Sequence, residues 1–331
     1  MKSVRLHTTG DLQLHEEEIP VAGAGDKLVR ITSVGVCGSD LHWFAEGGIG
    51  DAKLDRPLVL GHEFAGVTRD GQRVAIDPAV PCGHCEFCQI GHPNLCENLV
   101  FAGHGMTDGA MREWMTWNER SLFPIPDSLS DDDGAMLEPL GVAIHTVDLG
   151  KVRPGMSVGV FGCGPIGLLI IQMARLSGAA NIVATDKLAH RLEAAKRYGA
   201  SQAFFAEDDS RLSQIRAATE GRGVHVAFDA AGVQEAIDDA FAAVRPGGKV
   251  ILAGIPEDDR TSFSASMARR KGLTIKLVRR MKHTYPRAIE LVSKGLVDVR
   301  SLVTHRFPLE RSAEAFRVAQ RREGLKIIIE V

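Results

Sequence analysis

One stretch constrains the fold of this chain more than any other: residues 158–191, VGVFGCGPIGLLIIQMARLSGAANIVATDKLAHR. The apolar run Val158 to Phe161 predicts a short buried strand. Gly162-Cys163-Gly164-Pro165-Ile166-Gly167 follows, and Leu168 to Leu176 keeps apolar residues at helical spacing. Ala180 to Ala184 predicts a second strand, and Asp186 comes just after it. Strand, glycine turn, helix, strand and acid are, in that order, the parts of a dinucleotide-binding βαβ unit. The first glycine allows the tight turn, the second lets the backbone approach a pyrophosphate, and the third lets the helix pack on the strand. The helix N-terminus offers unpaired N–H groups to the phosphates, so Pro165 and Ile166 line the same site. Asp186 can accept hydrogen bonds from an adenosine ribose and would repel a 2′-phosphate, which predicts NAD rather than NADP. Lys187, His190 and Arg191 pull the other way, since they can pair with a phosphate.

A length of 331 residues leaves room for two domains. A hydrophobic fraction of 44% and a charged fraction of 24% are those of a globular protein, and a net charge of −3 offers no electrostatic case for nucleic acid. The first residues lack the apolar core of a signal peptide. The most apolar stretch, the one above, is interrupted by glycines, a proline and Gln172, so a strand plus helix explains it better than a membrane span. A cytoplasmic protein is the expectation. In that setting, six cysteines, four of them clustered, suggest metal before disulfides.

Residues 1–36 carry short alternating or apolar runs, Lys27 to Val36 among them, and predict a β-rich domain. Cys37-Gly38-Ser39-Asp40-Leu41-His42 comes next, and Gly61-His62-Glu63 follows a glycine-rich loop. Cys37, His62 and Glu63 are the ligand types of a catalytic zinc that keeps a position open. Spacing alone does not bring them together, and a buried thiol with a satisfied histidine is the alternative. Cys82, Cys85, Cys88 and Cys96 are more specific. The pattern C-x2-C-x2-C-x7-C can close a tetrahedral cage around one Zn²⁺ with no open site, a structural zinc; an iron–sulfur cluster or two disulfides are the alternatives. The loop has almost no aliphatic residues, so metal ligation would supply its folding energy.

Phe101 to Trp117 reads as loop then strand. Asp131-Asp132-Asp133 reads as a helix start capped by Ser130, with a calcium site as the alternative. Ala135 to His145 reads as one apolar helix containing a single acid, Glu138, whose burial requires a partner: a metal, a water on a metal, or backbone. Beyond Asp186 the α/β alternation continues. Val224 to Phe228 and Lys249 to Leu252 read as buried parallel strands. The small residues after them, Ala230 and then Gly254 with Ile255, leave room for a cofactor. Arg245-Pro246-Gly247-Gly248 reads as a turn. Leu273 to Val278, Leu302 to Phe307 and Lys326 to Val331 read as strands, Tyr285 to Lys294 and Leu309 to Arg321 as helices.

These residues resemble, from end to end, the zinc-dependent medium-chain dehydrogenases, and within them the polyol branch of sorbitol (L-iditol 2-) and xylitol dehydrogenases. The motifs are GVCGSDLHWF, VLGHEFAG, the four-cysteine lobe, LEPLGVAIH, GCGPIG with Asp186, and SLVTHRFPLE. The resemblance implies an α/β architecture: a GroES-like β-rich catalytic domain of residues 1–140 and 279–331, with an inserted Rossmann doubly wound parallel-sheet domain, 141–278. It implies two zincs per chain, one catalytic at Cys37 and His62 with Glu63 bound directly or in exchange with water, and one structural. Glu138 stands where alcohol dehydrogenases place a second zinc cysteine, the polyol-branch pattern, and Asp40 would orient His62. Two features depart from the branch: the full four-cysteine set, which animal sorbitol dehydrogenases typically lack, and Arg280-Met281 where an Arg-Tyr pair is common. The segment Gly47-Gly48-Ile49-Gly50 also lacks the bulk some relatives carry, which implies a wider pocket.

The implied reaction is reversible, NAD-linked oxidation of a secondary alcohol to a ketone, with zinc as Lewis acid. Ser39 and His42 match the family's proton relay through the cofactor ribose, and Arg280 can hydrogen-bond a distal hydroxyl or a carboxylate. The expected partner is a small polyol, with neither nucleic acid nor membrane, and the family's usual state is a homodimer or homotetramer. The rival readings are a sugar-acid (L-idonate-like), simple secondary-alcohol or threonine dehydrogenase and, from another class, a non-catalytic nucleotide-binding protein.

Overall fold

The computed structural model describes residues 1–331 and divides them into two units, Met1–Gly141 with Lys282–Val331, and Val142–Met281. The second unit is a six-stranded sheet. Its strands run in the spatial order Gln202–Phe205, Asn181–Asp186, Ser157–Phe161, Val224–Asp229, Val244–Leu252 and Thr274–Leu277. Every pairing is parallel. In chain order this is 3-2-1-4-5-6, the doubly wound Rossmann arrangement, whose order reverses at Ser157–Phe161, the strand that leads into the glycine turn. Phe161, Val183, Val224, Ala227, Phe241, Val250 and Leu252 belong to its buried core. Arg245 to Gly248 does not form a free turn. It lies inside the strand Val244–Leu252, where pairing shifts register between Val224 and Val226, so an irregularity of the ladder absorbs the proline and the glycines.

The first unit is built on a seven-stranded, mostly antiparallel sheet. Its spine is Asp26–Gly35, paired on one side with Glu63–Thr68 and on the other with Lys326–Glu330. The N-terminal and C-terminal parts of the chain thus meet in one sheet. Val29, Ile31, Val34, Phe64, Ile327 and Ile329 are buried in its core.

Two helical readings are refined. Ser130 caps the helix Asp131–Ala135: its hydroxyl accepts from Asp133 N at 3.1 Å, and Asp133 Oδ2 accepts from Ser130 N at 2.8 Å. The three acids then diverge. Asp131 meets Arg73 (2.6 Å), Asp132 meets Ser33 (2.8 Å) and Arg306 (2.7 Å), and Asp133 meets Arg300 (2.5 Å). They are a helix end tied to its surroundings, not a convergent calcium cage. The helix expected over Ala135 to His145 is interrupted at Met136, and a new one runs over Leu137–Gly150. Pro139 explains the restart, since its missing N–H is harmless in a first turn. Glu138 thereby gains a first-turn position, where the helix dipole favours a carboxylate. No helix of the chain is long and apolar enough to cross a membrane.

Candidate active site

Cys37 is the residue before the helix Gly38–Glu46, at the end of the spine strand. His62 and Glu63 lie at the start of the neighbouring strand Glu63–Thr68, and Glu63 is directly opposite Gly35. The Cys37 sulfur, a His62 nitrogen and a Glu63 oxygen all come within 4.8 Å of one another. Asp40 organises them. Wholly buried, its carboxylate accepts from Cys37 N at 2.9 Å and from Gly61 N at 3.3 Å, and Oδ1 faces His62 Nδ1 at 3.3 Å. With Nδ1 engaged, Nε2 of His62 is the nitrogen left for a metal. Ser39 Oγ lies 3.3 Å from that Nε2. Burial alone would depress His62, but the Asp40 carboxylate and the Cys37 thiol outweigh it and hold its pKa well above the ordinary histidine value.

Glu138 is 5% exposed and stands outside the three-ligand set. Burial pushes its carboxyl up to about 8, against the opposing pull of His62, with Glu63 adding to the rise and Lys326 countering it. Lys326 is the site residue that the sequence did not single out. It is 2% exposed, and its ammonium pairs with Glu63 Oε2. Gly35 makes the pairing possible: a methyl group there would collide with the Glu63 carboxylate and press on Lys326 Cε at 3.0 Å. The signal was present in Leu325-Lys326-Ile327-Ile328-Ile329, a lone cation in an otherwise apolar strand, which burial forces to find an anion. The ring of Phe101 packs beside His62 (centroids 5.5 Å), and Trp43 meets His104 edge-on at 5.5 Å. Gly48–Ile49 pairs with Ala52–Lys53 as a small ladder.

Cys82, Cys85, Cys88 and Cys96 bring all four sulfurs within 4.8 Å of one another, and none is in a disulfide. Their backbone already serves the cluster: Cys82 N points at Cys96 Sγ (3.3 Å) and Cys85 N at Cys82 Sγ (3.4 Å). Backbone N–H groups of His84 and Cys85 pull the Cys82 thiol down to about 6, which favours the thiolate a metal needs. Four soft donors at this spacing suit Zn²⁺ with no position left open. Cys163, the sixth cysteine, is buried in the second unit.

In the second unit the glycine turn has the properties a dinucleotide requires. Gly162 has φ 100°, and a side chain on Gly167 would collide with the Gly162 carbonyl oxygen. A Cβ on Gly164 would meet only Arg191, at 3.8 Å, so this position is open for a pyrophosphate. Gly164 precedes the helix Pro165–Leu176, with Pro165 and Ile166 in its first turn. Asp186 ends its strand; it accepts from Cys163 N (2.8 Å) and Leu188 N (2.9 Å), and Arg191 Nη1 stands 4.0 Å from it. Each carboxylate oxygen keeps a lone pair for a ribose hydroxyl. Ala230 N donates to Phe161 O at 2.8 Å, which pins the end of its strand to the turn. Gly254 packs against Gly232, and the next residue, Ile255, is 49% exposed. Arg280 also belongs to this unit, in a left-handed backbone conformation with φ 53°.

Two zinc-ligand constellations and a Rossmann glycine turn on one chain define a class, and sequence comparison agrees. Residues 23–127 match the alcohol dehydrogenase GroES-like domain and residues 165–294 the zinc-binding dehydrogenase family. The chain belongs to the zinc-containing medium-chain alcohol dehydrogenases. Among its relatives, sorbitol dehydrogenase of Bacillus subtilis (strain 168) is 35% identical over 341 residues, spanning 99% of this chain and 97% of the relative. The structure of L-idonate 5-dehydrogenase from Escherichia coli K-12 is similar with a TM-score of 0.93 at 27% identity, covering 100% of this chain and 98% of that one. An alcohol dehydrogenase from Escherichia coli CFT073, solved with NADH, gives 0.92 at 30% identity, covering 100% and 99%.

Proposed function

We infer that the chain is an NAD-linked polyol dehydrogenase, oxidising a secondary hydroxyl of a sorbitol-, xylitol- or L-iditol-like substrate reversibly to a ketose. The observation that carries this reading is the convergence of Cys37, His62 and Glu63 on one point with buried Glu138 nearby. Thiolate, imidazole and carboxylate suit Zn²⁺, and three protein ligands leave a fourth position for an alcohol oxygen. Zinc bound there supplies a Lewis acid, and NAD held at Gly162–Gly167 and Asp186 supplies the hydride acceptor. In this reading the first unit carries catalysis and the second holds the cofactor.

The chain's own residues do the rest. Asp40 fixes the ring of His62 and the backbone of Cys37. Lys326 balances the charge of Glu63, so that the carboxylate can turn between ammonium and ligand position without a bare buried charge. Glu138 orients the hydroxyl or water at the open position. Ser39 Oγ, beside His62 Nε2, is placed to take the hydroxyl proton, and with the cofactor ribose between them His42 would pass it outward. The Asp186 carboxylate favours a ribose 2′-hydroxyl over a 2′-phosphate, in keeping with the relative solved with NADH.

The sugar-acid reading is the second. It draws on the likeness to L-idonate 5-dehydrogenase and on Arg280, whose guanidinium suits a carboxylate. Nicotinamide absorbance, with NAD and NADP supplied separately, separates the two on sorbitol, xylitol, L-iditol, galactitol, L-idonate, threonine and 2,3-butanediol. NAD-linked oxidation of a polyol is expected. Turnover of L-idonate alone moves the assignment to sugar acids, and silence on every polyol overturns the polyol reading.

A further inference from the structure

His42 is itself held in place. Its Nδ1 donates to Glu46 Oε1 at 2.8 Å, one helical turn further on. Trp43 and Phe44 are buried and anchor the helix Gly38–Glu46, while the side chains of His42 and Glu46 stay 22% and 35% exposed. Gly47 ends the helix directly afterwards in a left-handed conformation (φ 71°), its N–H donating to the Trp43 carbonyl at 3.0 Å. Glu46 is therefore the last helical residue. The helix dipole disfavours a carboxylate there, and the last turn has no basic residue to offset it. Helix stability does not account for the choice.

Proton transfer does. A neutral imidazole carries one N–H, and in water it favours placing it on Nε2. A histidine that accepts a proton at Nε2 must carry its own hydrogen on Nδ1, and an acceptor at Nδ1 selects that form. The adjoining helix Ser312–Gln320, whose Phe316 packs on Phe44 (ring centroids 5.2 Å), carries one acid, Glu314, and Arg311 engages it at 2.7 Å. Glu46 is thus the carboxylate for His42.

We propose that Glu46 is a positioning residue for proton exit: by accepting Nδ1–H of His42, it keeps Nε2 of that ring free to receive the substrate's hydroxyl proton. The inference rests on the Ser39–His42 relay and adds to it the group that sets the relay's tautomer.

The test uses the zinc-loaded full chain with ¹⁵N-labelled histidine. Long-range ¹H–¹⁵N spectra report the His42 tautomer, assigned by its loss in His42→Gln. Expected are Nδ1–H in the unsubstituted protein and in Glu46→Gln, whose amide oxygen still accepts, and Nε2–H in Glu46→Ala. In oxidation of the best substrate of the panel, Glu46→Ala lowers kcat about ten-fold with KM unchanged, and Glu46→Gln restores most of it. An Nε2–H tautomer in the unsubstituted protein, or a kcat unmoved by Glu46→Ala while His42→Gln loses activity, overturns the inference and leaves the relay standing. Full activity in His42→Gln overturns both.

Discussion

The four-cysteine lobe gathers its ligands from residues 82–96, whereas the Cys37–His62–Glu63 set draws on two strands and a helix start and is completed by Lys326 near the other end of the chain. The lobe has short helical turns, Glu86–Gln89 and Pro93–Leu95, and its exposed apolar side chains include Ile90 and Leu95. A metal there replaces the core that the loop lacks. The catalytic set is the reverse case. Asp40, His62 and Glu63 are buried in the framework of a packed sheet, and their hydrogen bonds are in place before any cation arrives. The lobe is ordered around its four sulfurs with little apolar core of its own, whereas the catalytic set is ordered by the sheet that carries it.

Three experiments can break or sharpen that contrast. The largest expected effect is in the lobe. Cys85→Ser should lower the unfolding free energy by more than about 4 kcal/mol, read by denaturant titration, because loss of a structural metal removes the lobe's main source of order. A lobe that tolerates the change would have a core of its own. Next, Lys326→Met leaves Glu63 as a bare buried charge and should cost about 3 kcal/mol in chelator-treated protein. With zinc bound, the cation takes over the lysine's role and the cost should shrink. An equal cost in both states would mean that the carboxylate never turns to the metal.

The third effect is a pH dependence. In the metal-free protein the Glu138 carboxyl is raised from 4.5 to about 8, so the folded chain binds that proton more tightly than the unfolded chain. Its contribution to stability is full below pH 4.5, is lost as pH rises to about 8, and is level above. Glu138→Gln should therefore raise the melting temperature of metal-free protein at pH 8 and leave it unchanged at pH 4. A stabilisation equal at both values would rule out this titration.

The same contrast explains what was legible in the sequence. The lobe and the glycine turn are local: Cys82 to Cys96 and Gly162 to Asp186 each lie within one short span, so spacing states their geometry. Ser130 with Asp133 is local in the same way. Cys37 and His62 carried the right chemistry, but only pairing of Asp26–Gly35 with Glu63–Thr68 brings their strands together, and strand register is not written in spacing. Lys326 was harder still. Its role depends on a C-terminal strand lying beside Gly35 and on that residue having no side chain. The break at Met136 and the strand through Pro246 were missed because a periodic apolar run and a turn-type tetrapeptide each have a second reading once the sheet is built.

Zinc content per chain, measured together with turnover on the unsubstituted protein and on Cys37→Ser, tests the division of labour most directly. The account expects two zincs falling to one, circular dichroism and melting temperature preserved, and turnover reduced by about a thousand-fold or more. Retention of two zincs with full turnover, or collapse of the fold on losing the Cys37 thiol, would contradict it.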